Sequence, residues 1–158
     1  MPSGPVLLAY DGSDAARWAV RKAGALLGPR AALVVTVWEP GLAYAALEPP
    51  TIGIGAPTFV DVQTATELDD AVRQHAERVV RDGAVVAHAA GFTATAQVAS
   101  DRSDVAGTLV GLAREHDAQA IVLGSHGHAG LRDRLLGSTS MAVVHAADCP
   151  VVIVRAHT

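Results

Sequence analysis

Five short apolar runs alternate with segments of helical period along the chain, and that alternation constrains the fold more than any other feature. Val6-Leu7-Leu8-Ala9-Tyr10 is continuously apolar, as strands covered on both faces are. Asp11-Gly12-Ser13-Asp14 follows and reads as a turn with helix N-cap candidates. Ala16, Ala19, Val20, Ala23 and Leu27 then recur at helical spacing, and Gly28-Pro29 stops that helix. A second strand over Ala32–Trp38 is rich in β-branched residues. A long helix spans 61–90, with Leu68, Val72, Ala76, Val79, Gly83 and Val86 as its buried stripe and Gly91 at its end. Thr93–Val98 is a third strand. Ser103 caps a helix that turns Val105, Leu109, Leu112 and Ala113 inward. Ala120–Leu123 is a fourth strand, Ser138–Ala146 a short helix with Met141 and Val144 inward, and Pro150 opens the last strand, Val151–Val154.

This β-α-β-α-β-α-β-α-β order predicts an α/β fold, an open parallel five-stranded sheet joined by right-handed crossovers. A length of 158 residues suits one domain, 1–158, and no internal repeat or linker divides it. One stretch breaks the pattern. Residues 39–60 hold Pro40, Gly41, Pro49, Pro50, Gly53, Gly55 and Pro57, and no period survives there. A loop longer than about 12–15 residues is uncommon in a compact domain and tends to be functional or mobile. Two readings stand for it: a lid or arm against a partner, and a plain mobile surface excursion.

Composition removes several function classes. Twelve basic residues against sixteen acidic ones give a net charge of −4, where a nucleic-acid binder shows a basic excess. Aromatics are 4% of the chain, too few for base-stacking platforms, and Trp18 and Trp38 read as packing rings. Cys149 stands alone, so an intrachain disulfide, a CxxC pair and a thiolate zinc cluster are excluded, and it reads as a small buried hydrophobe. Lys22 is the only lysine, and Arg21-Lys22-Ala23-Gly24 is not a P-loop. The first apolar run stops at Asp11, too short for a signal sequence or membrane span. The expectation is a soluble, reduced, cytoplasmic protein without membrane or nucleic-acid partners.

In an open α/β sheet the ligand sits beyond the carboxyl ends of the strands, where the strand order reverses. The segments after strands 1 and 4 therefore matter most. After strand 4 comes Gly124-Ser125-His126-Gly127-His128-Ala129-Gly130, then Leu131 to Leu136, then Gly137-Ser138-Thr139-Ser140. Glycines leaving a strand let backbone N–H groups approach an anion without Cβ interference. A helix opening at Ser138 adds a second anion site, because its first N–H groups lack intrahelical partners and its dipole end is positive. Hydroxyls of Ser138, Thr139 and Ser140 suit phosphate oxygens or a magnesium ion. Asp11, across the switch point, suits ribose hydroxyls. A tight turn with ordinary capping is the plainer alternative.

The spacing Gly124-x2-Gly127-x9-Gly137-Ser138 resembles the ATP-binding signature of the universal stress protein family. Asp11 after strand 1 and the closing Cys149-Pro150-Val-Val-Ile-Val-Arg155 are similar to that family too, and the likeness covers nearly the whole chain. It implies a Rossmann-like nucleotide-binding fold of strand order 3-2-1-4-5, ATP in the cleft and a homodimer. By position, Asp11 would hold the ribose, with Gly12 close enough to join. Val37 would meet adenine through its backbone. Gly124, Gly127 and Gly130 would wrap the phosphates, and Gly137, Ser138, Thr139 and Ser140 would close on them, with magnesium carried by the phosphates. The long segment after strand 2 departs from the family and leaves the cover of the adenine side open. In the implied order, Val151–Val154 is an apolar sheet edge suited to antiparallel pairing across a twofold axis.

The function expected is an ATP-binding, nucleotide-dependent stress-response module that signals to a protein partner. The alternative is a slow ATPase or a nucleotidyl or phosphoryl transferase in the same cleft. Efficient phosphoryl transfer wants a positioned base and cationic charge, and the cleft offers hydroxyls, glycines, His126 and His128; no catalytic residue is assigned. Those histidines read as phosphate contacts or solvated loop residues rather than metal ligands, since no acidic or cysteine partner adjoins them. A dinucleotide oxidoreductase would need GxGxxG after strand 1, and a phosphoreceiver a lysine near the last strand; neither is present.

Overall fold

The computed structural model describes residues 3–40, 62–101, 104–125 and 136–155. Strands β1 (Val6–Ala9), β2 (Ala31–Trp38), β3 (Thr93–Ser100), β4 (Ala120–Gly124) and β5 (Val151–Val154) alternate with helices α1 (Asp14–Leu27), α2 (Val62–Ala89), α3 (Val105–Glu115) and α4 (Ser138–Ala146). The sheet is parallel throughout, in the order β3-β2-β1-β4-β5. Both the element order and the strand order agree with the expectation above.

Strand side chains alternate between two apolar layers, because successive residues point to opposite faces. Val6, Leu8, Ala32, Val34 and Val122 meet Ala16, Ala19, Val20 and Ala23 of α1 and Val80, Val86 and Ala87 of α2. Leu7, Leu33, Val35, Ile121 and Leu123 meet Ala106, Leu109, Val110 and Leu112 of α3 and Val143 of α4. Burial of a side chain such as Leu7 or Leu8, both fully inaccessible, contributes about 1.5–3 kcal/mol. A centre apolar on both faces explains why the strands read as unbroken hydrophobic runs. Ser13 caps α1, its side chain accepting from the Ala16 N–H, and Gly28 ends it at φ +70°.

Three sequence readings need correction. In α2 the buried residues are Ala65, Ala76, Val80, Gly83, Val86 and Ala87, while Leu68 and Val72 are exposed. The helix has 28 residues and would be about 42 Å long. Its neighbours β2 and β3 have eight residues each, or about 26 Å. A helix that outruns the sheet leaves part of its apolar stripe without a strand to cover it. In α4, Ser140 and Val143 are buried and Met141 and Val144 exposed, because the Ser140 hydroxyl turns inward to donate to the Gly124 carbonyl at 3.1 Å. The cap of α3 is Asp104, whose carboxylate accepts from the Gly107 N–H; Ser103 lies outside the described residues. Of the 39–60 segment, only Glu39 and Pro40 are described, and both are exposed.

Candidate functional site

The winding reverses between β1 and β4, which lie side by side with Leu8 opposite Val122. Continuing that register brings the Asp11 turn beside Gly124 and Ser125. A Cβ on Gly124 would lie 3.1 Å from the Ala15 backbone, so the first turn of α1 packs tightly against the end of β4. Gly124 therefore has a packing reason for lacking a side chain, independent of any ligand.

The Asp11 turn is held by local bonds. The N–H and hydroxyl of Ser13 both donate to Asp11 Oδ1, at 3.0 and 2.6 Å. Gly12 between them has φ +83°, a conformation that side chains resist. The turn rests on α2: a Cβ on Gly12 would meet Val79 at 3.3 Å.

Beneath it, Tyr10 is buried and its hydroxyl donates to Asp82 at 2.5 Å, while Arg17 of α1 pairs with the same carboxylate oxygen at 2.9 Å. Burial, then the hydrogen bond to Asp82, pushes the Tyr10 phenol well above its ordinary range. The Tyr10 N–H donates to the Val35 carbonyl, and its carbonyl accepts from the Thr36 hydroxyl at 2.7 Å. Tyr10, Ser13, Arg17, Thr36 and Asp82 thus fix the geometry of the turn. Sequence reading named none of them for the site beyond Ser13 as a cap, because their partnerships join distant positions.

Val37 follows from the same ladder. Backbone groups of alternate strand residues face the same side. Val35 accepts from Tyr10 on the β1 side and Trp38 accepts from Asp101 on the β3 side. The Val37 N–H and C=O therefore face the β1 side, at the level where β1 has already turned away at Asp11.

On the β4 side, the Gly137 N–H donates to the Ser125 carbonyl at 2.9 Å. With the Ser140 hydroxyl on Gly124, this ties the amino end of α4 to the end of β4. Gly137 is the N-cap and makes no side-chain cap bond. The first N–H groups of α4 are those of Ser138, which is exposed, Thr139, which is half-buried, and Ser140. The structure thus brings Asp11, Gly12, Val37, Gly124, Gly137, Ser138, Thr139 and Ser140 to the carboxyl edge of the sheet. Gly127, Gly130, His126 and His128 lie outside the described residues. Lys22 stands apart on α1, its ammonium 4.4 Å above the Trp18 ring.

Among the described residues no group of three or more His, Cys, Asp or Glu side chains is placed to hold a metal ion. No described helix is long and apolar enough to cross a membrane. A cleft of about 270 Å³ opens at the amino ends of β4 and β5, lined by residues that include Arg114, Asp148 and Cys149. Arg114 pairs with Asp148 there, and burial raises the Cys149 thiol above its ordinary value, away from the reactive thiolate. It lies at the end of the sheet opposite the switch point.

A doubly wound parallel sheet, with a braced acidic turn and a helix terminus meeting at its switch point, defines a class of α/β proteins built around a cleft at the strand ends. Within that class the sequence profile of the universal stress protein family matches residues 3–155, and the chain belongs to that family. A universal stress protein of Thermus aquaticus is 33% identical over 156 residues, covering 95% of this chain and 97% of the relative. The universal stress protein Rv2005c of Mycobacterium tuberculosis is 58% identical over 38 residues, 24% of this chain and only 13% of that longer relative. Among solved structures, hypothetical protein MJ0577 superposes with a TM-score of 0.76 at 18% identity, covering 100% and 99% of the two chains. A universal stress protein in complex with cAMP gives 0.61 at 24% identity, with 98% of each chain covered. The Archaeoglobus fulgidus protein in complex with dAMP gives 0.58 at 21%, covering 97% of this chain and 98% of that one.

Proposed function

We propose that this chain binds an adenine nucleotide, ATP, in the cleft between β1 and β4 and acts as a nucleotide-dependent stress-response module. The observation that carries the reading is the meeting of two complementary parts at the switch point. One is a carboxylate on a braced turn; the other is the amino end of α4, pinned to β4 and without a side-chain cap. A helix terminus of this kind favours phosphate through its N–H groups and its dipole. The cAMP and dAMP complexes of proteins sharing the fold support an adenine nucleotide as the ligand class.

In this reading Asp11 accepts from the ribose hydroxyls and Gly12 leaves room beside it. The Val37 backbone meets adenine. Gly124, Gly127 and Gly130 wrap the triphosphate, and Gly137, Ser138 and Thr139 close on it, with magnesium carried by the phosphates. Ser140 braces the site from within, because its hydroxyl already donates to Gly124. The molecule pairs with a second copy through Val151–Val154 and works in the cytoplasm on a protein partner.

The test is mass spectrometry of small molecules released from the purified, denatured protein, followed by calorimetry with ATP, ADP, AMP and cAMP. Gly127→Val, which sets a branched side chain where phosphate lies, abolishes binding while the circular dichroism spectrum stays native. Equal ATP affinity in the two proteins overturns the assignment.

A further inference from the structure

We infer that Ser13 is a positioning residue that sets the selectivity of the nucleotide cleft for ribose over sugars lacking hydroxyls; this rests on the reading of Asp11 as the ribose contact. The argument starts from the single proton of a serine hydroxyl, which can donate one bond and accept two. Here the Ala16 N–H donates to Ser13 Oγ at 3.1 Å. The Oγ proton goes to Asp11 Oδ1 at 2.6 Å, and the Ser13 N–H reaches the same oxygen at 3.0 Å. A chain of bonds therefore runs from the first turn of α1, through one hydroxyl, into one oxygen of the Asp11 carboxylate.

Two donors from Ser13 on one oxygen, at 3.0 and 2.6 Å, help to fix the plane of this exposed carboxylate. Terminal carboxylate torsions are broad when unconstrained. A pair of ribose hydroxyls rewards a carboxylate already held in place, since ordering it on binding costs rotamer entropy. The same hydroxyl also caps α1. Ser13 thus has two separable duties, an acceptor duty toward Ala16 and a donor duty toward Asp11.

Three substitutions separate them. Ser13→Asp keeps an acceptor for the cap, which aspartate performs as well as serine. It removes the donor and sets a second negative charge beside Asp11. Ser13→Ala removes both duties, and Ser13→Thr supplies both. The experiment is calorimetric affinity for ATP and for 2′,3′-dideoxy-ATP, together with the melting temperature of each protein.

The wild type prefers ATP, and the preference falls several-fold, up to about tenfold, in Ser13→Asp and in Ser13→Ala, as the cost of ordering a released carboxylate on binding implies. Ser13→Thr restores it relative to Ser13→Ala. Melting follows the cap instead, falling in Ser13→Ala and holding in Ser13→Asp. A Ser13→Asp protein that discriminates as the wild type does overturns the positioning role. So does discrimination that tracks melting temperature across the three variants. A wild type that binds both nucleotides equally overturns the ribose reading of Asp11 itself, and this inference with it.

Discussion

The Tyr10 hydroxyl donates to the Asp82 carboxylate at 2.5 Å, joining the end of β1 to α2 across 72 positions of sequence. Arg17 completes the contact from α1. A buried phenol at the foot of the Asp11 turn is thereby tied to both helices on one face of the sheet.

That bond has a pH signature. Burial and Asp82 hold the folded phenol above its unfolded value, which is about 10. Its contribution is complete below that value and is lost as pH rises through it toward the folded value, because the unfolded chain then releases a proton that the folded chain keeps. The stability difference between wild type and Tyr10→Phe is flat up to about pH 9 and shrinks above about pH 10. Urea melts at stepped pH measure it; a difference that grows with alkalinity contradicts the assignment.

At Gly24, α1 packs tightly against Ala90, the residue that follows α2. A Cβ there would lie 2.2 Å from the Ala90 carbonyl oxygen. Alanine is the better helix former by about 1 kcal/mol, yet backbone cannot yield as a side-chain tip does. Gly24→Ala is expected to destabilise the domain by about 1–3 kcal/mol net, as overpacked sites do. Denaturant unfolding checks it, and a stabilised variant would show that the helices separate freely.

Asp104 opens α3 by accepting from the Gly107 N–H. Asp104→Ala should cost about 1 kcal/mol, and Asp104→Asn or Asp104→Ser should recover most of it.

The carboxyl edge of the fold and most of its core were legible from residues alone, and the exceptions share a cause. Alternation of apolar runs with helical period dictates the layers, and Gly28 and Gly91 end their helices where expected. Leu68 and Val72 show that a stripe states which residues could be buried but not what lies opposite them. Ser140 and Met141 show that a short helix can turn a hydroxyl inward when a strand-end carbonyl awaits it, which shifts the apparent stripe by one residue. For the candidate site, the places of Asp11 after the first strand and of Gly124 and Gly137 after the fourth at the carboxyl edge of the sheet were readable from the order of elements. The braces were not, since nothing near Tyr10 in sequence points to Asp82, or near Thr36 to Tyr10.

The last strand supplies a prediction about assembly. All four residues of Val151–Val154 are partly exposed at the sheet edge. Pro150 and Val154 accept from Ile121 and Ser125 on the β4 side, so the Val151 and Ile153 backbone groups face outward. Ile153→Pro deletes an outward N–H while sparing the β4 ladder. If two copies pair along this edge, sedimentation shows a dimer for the wild type and a monomer for Ile153→Pro, with the native dichroism spectrum retained. A wild-type monomer at micromolar concentration refutes edge pairing.

The Trp18 indole N–H donates to the Arg155 carbonyl at 3.1 Å, just past the end of β5, while Lys22 covers the ring. A fluorophore thus stands beside the partly exposed edge of the sheet. With Trp38 replaced by phenylalanine, the Trp18 emission should shift when that margin frays, so the integrity of the edge can be followed optically without attaching a dye.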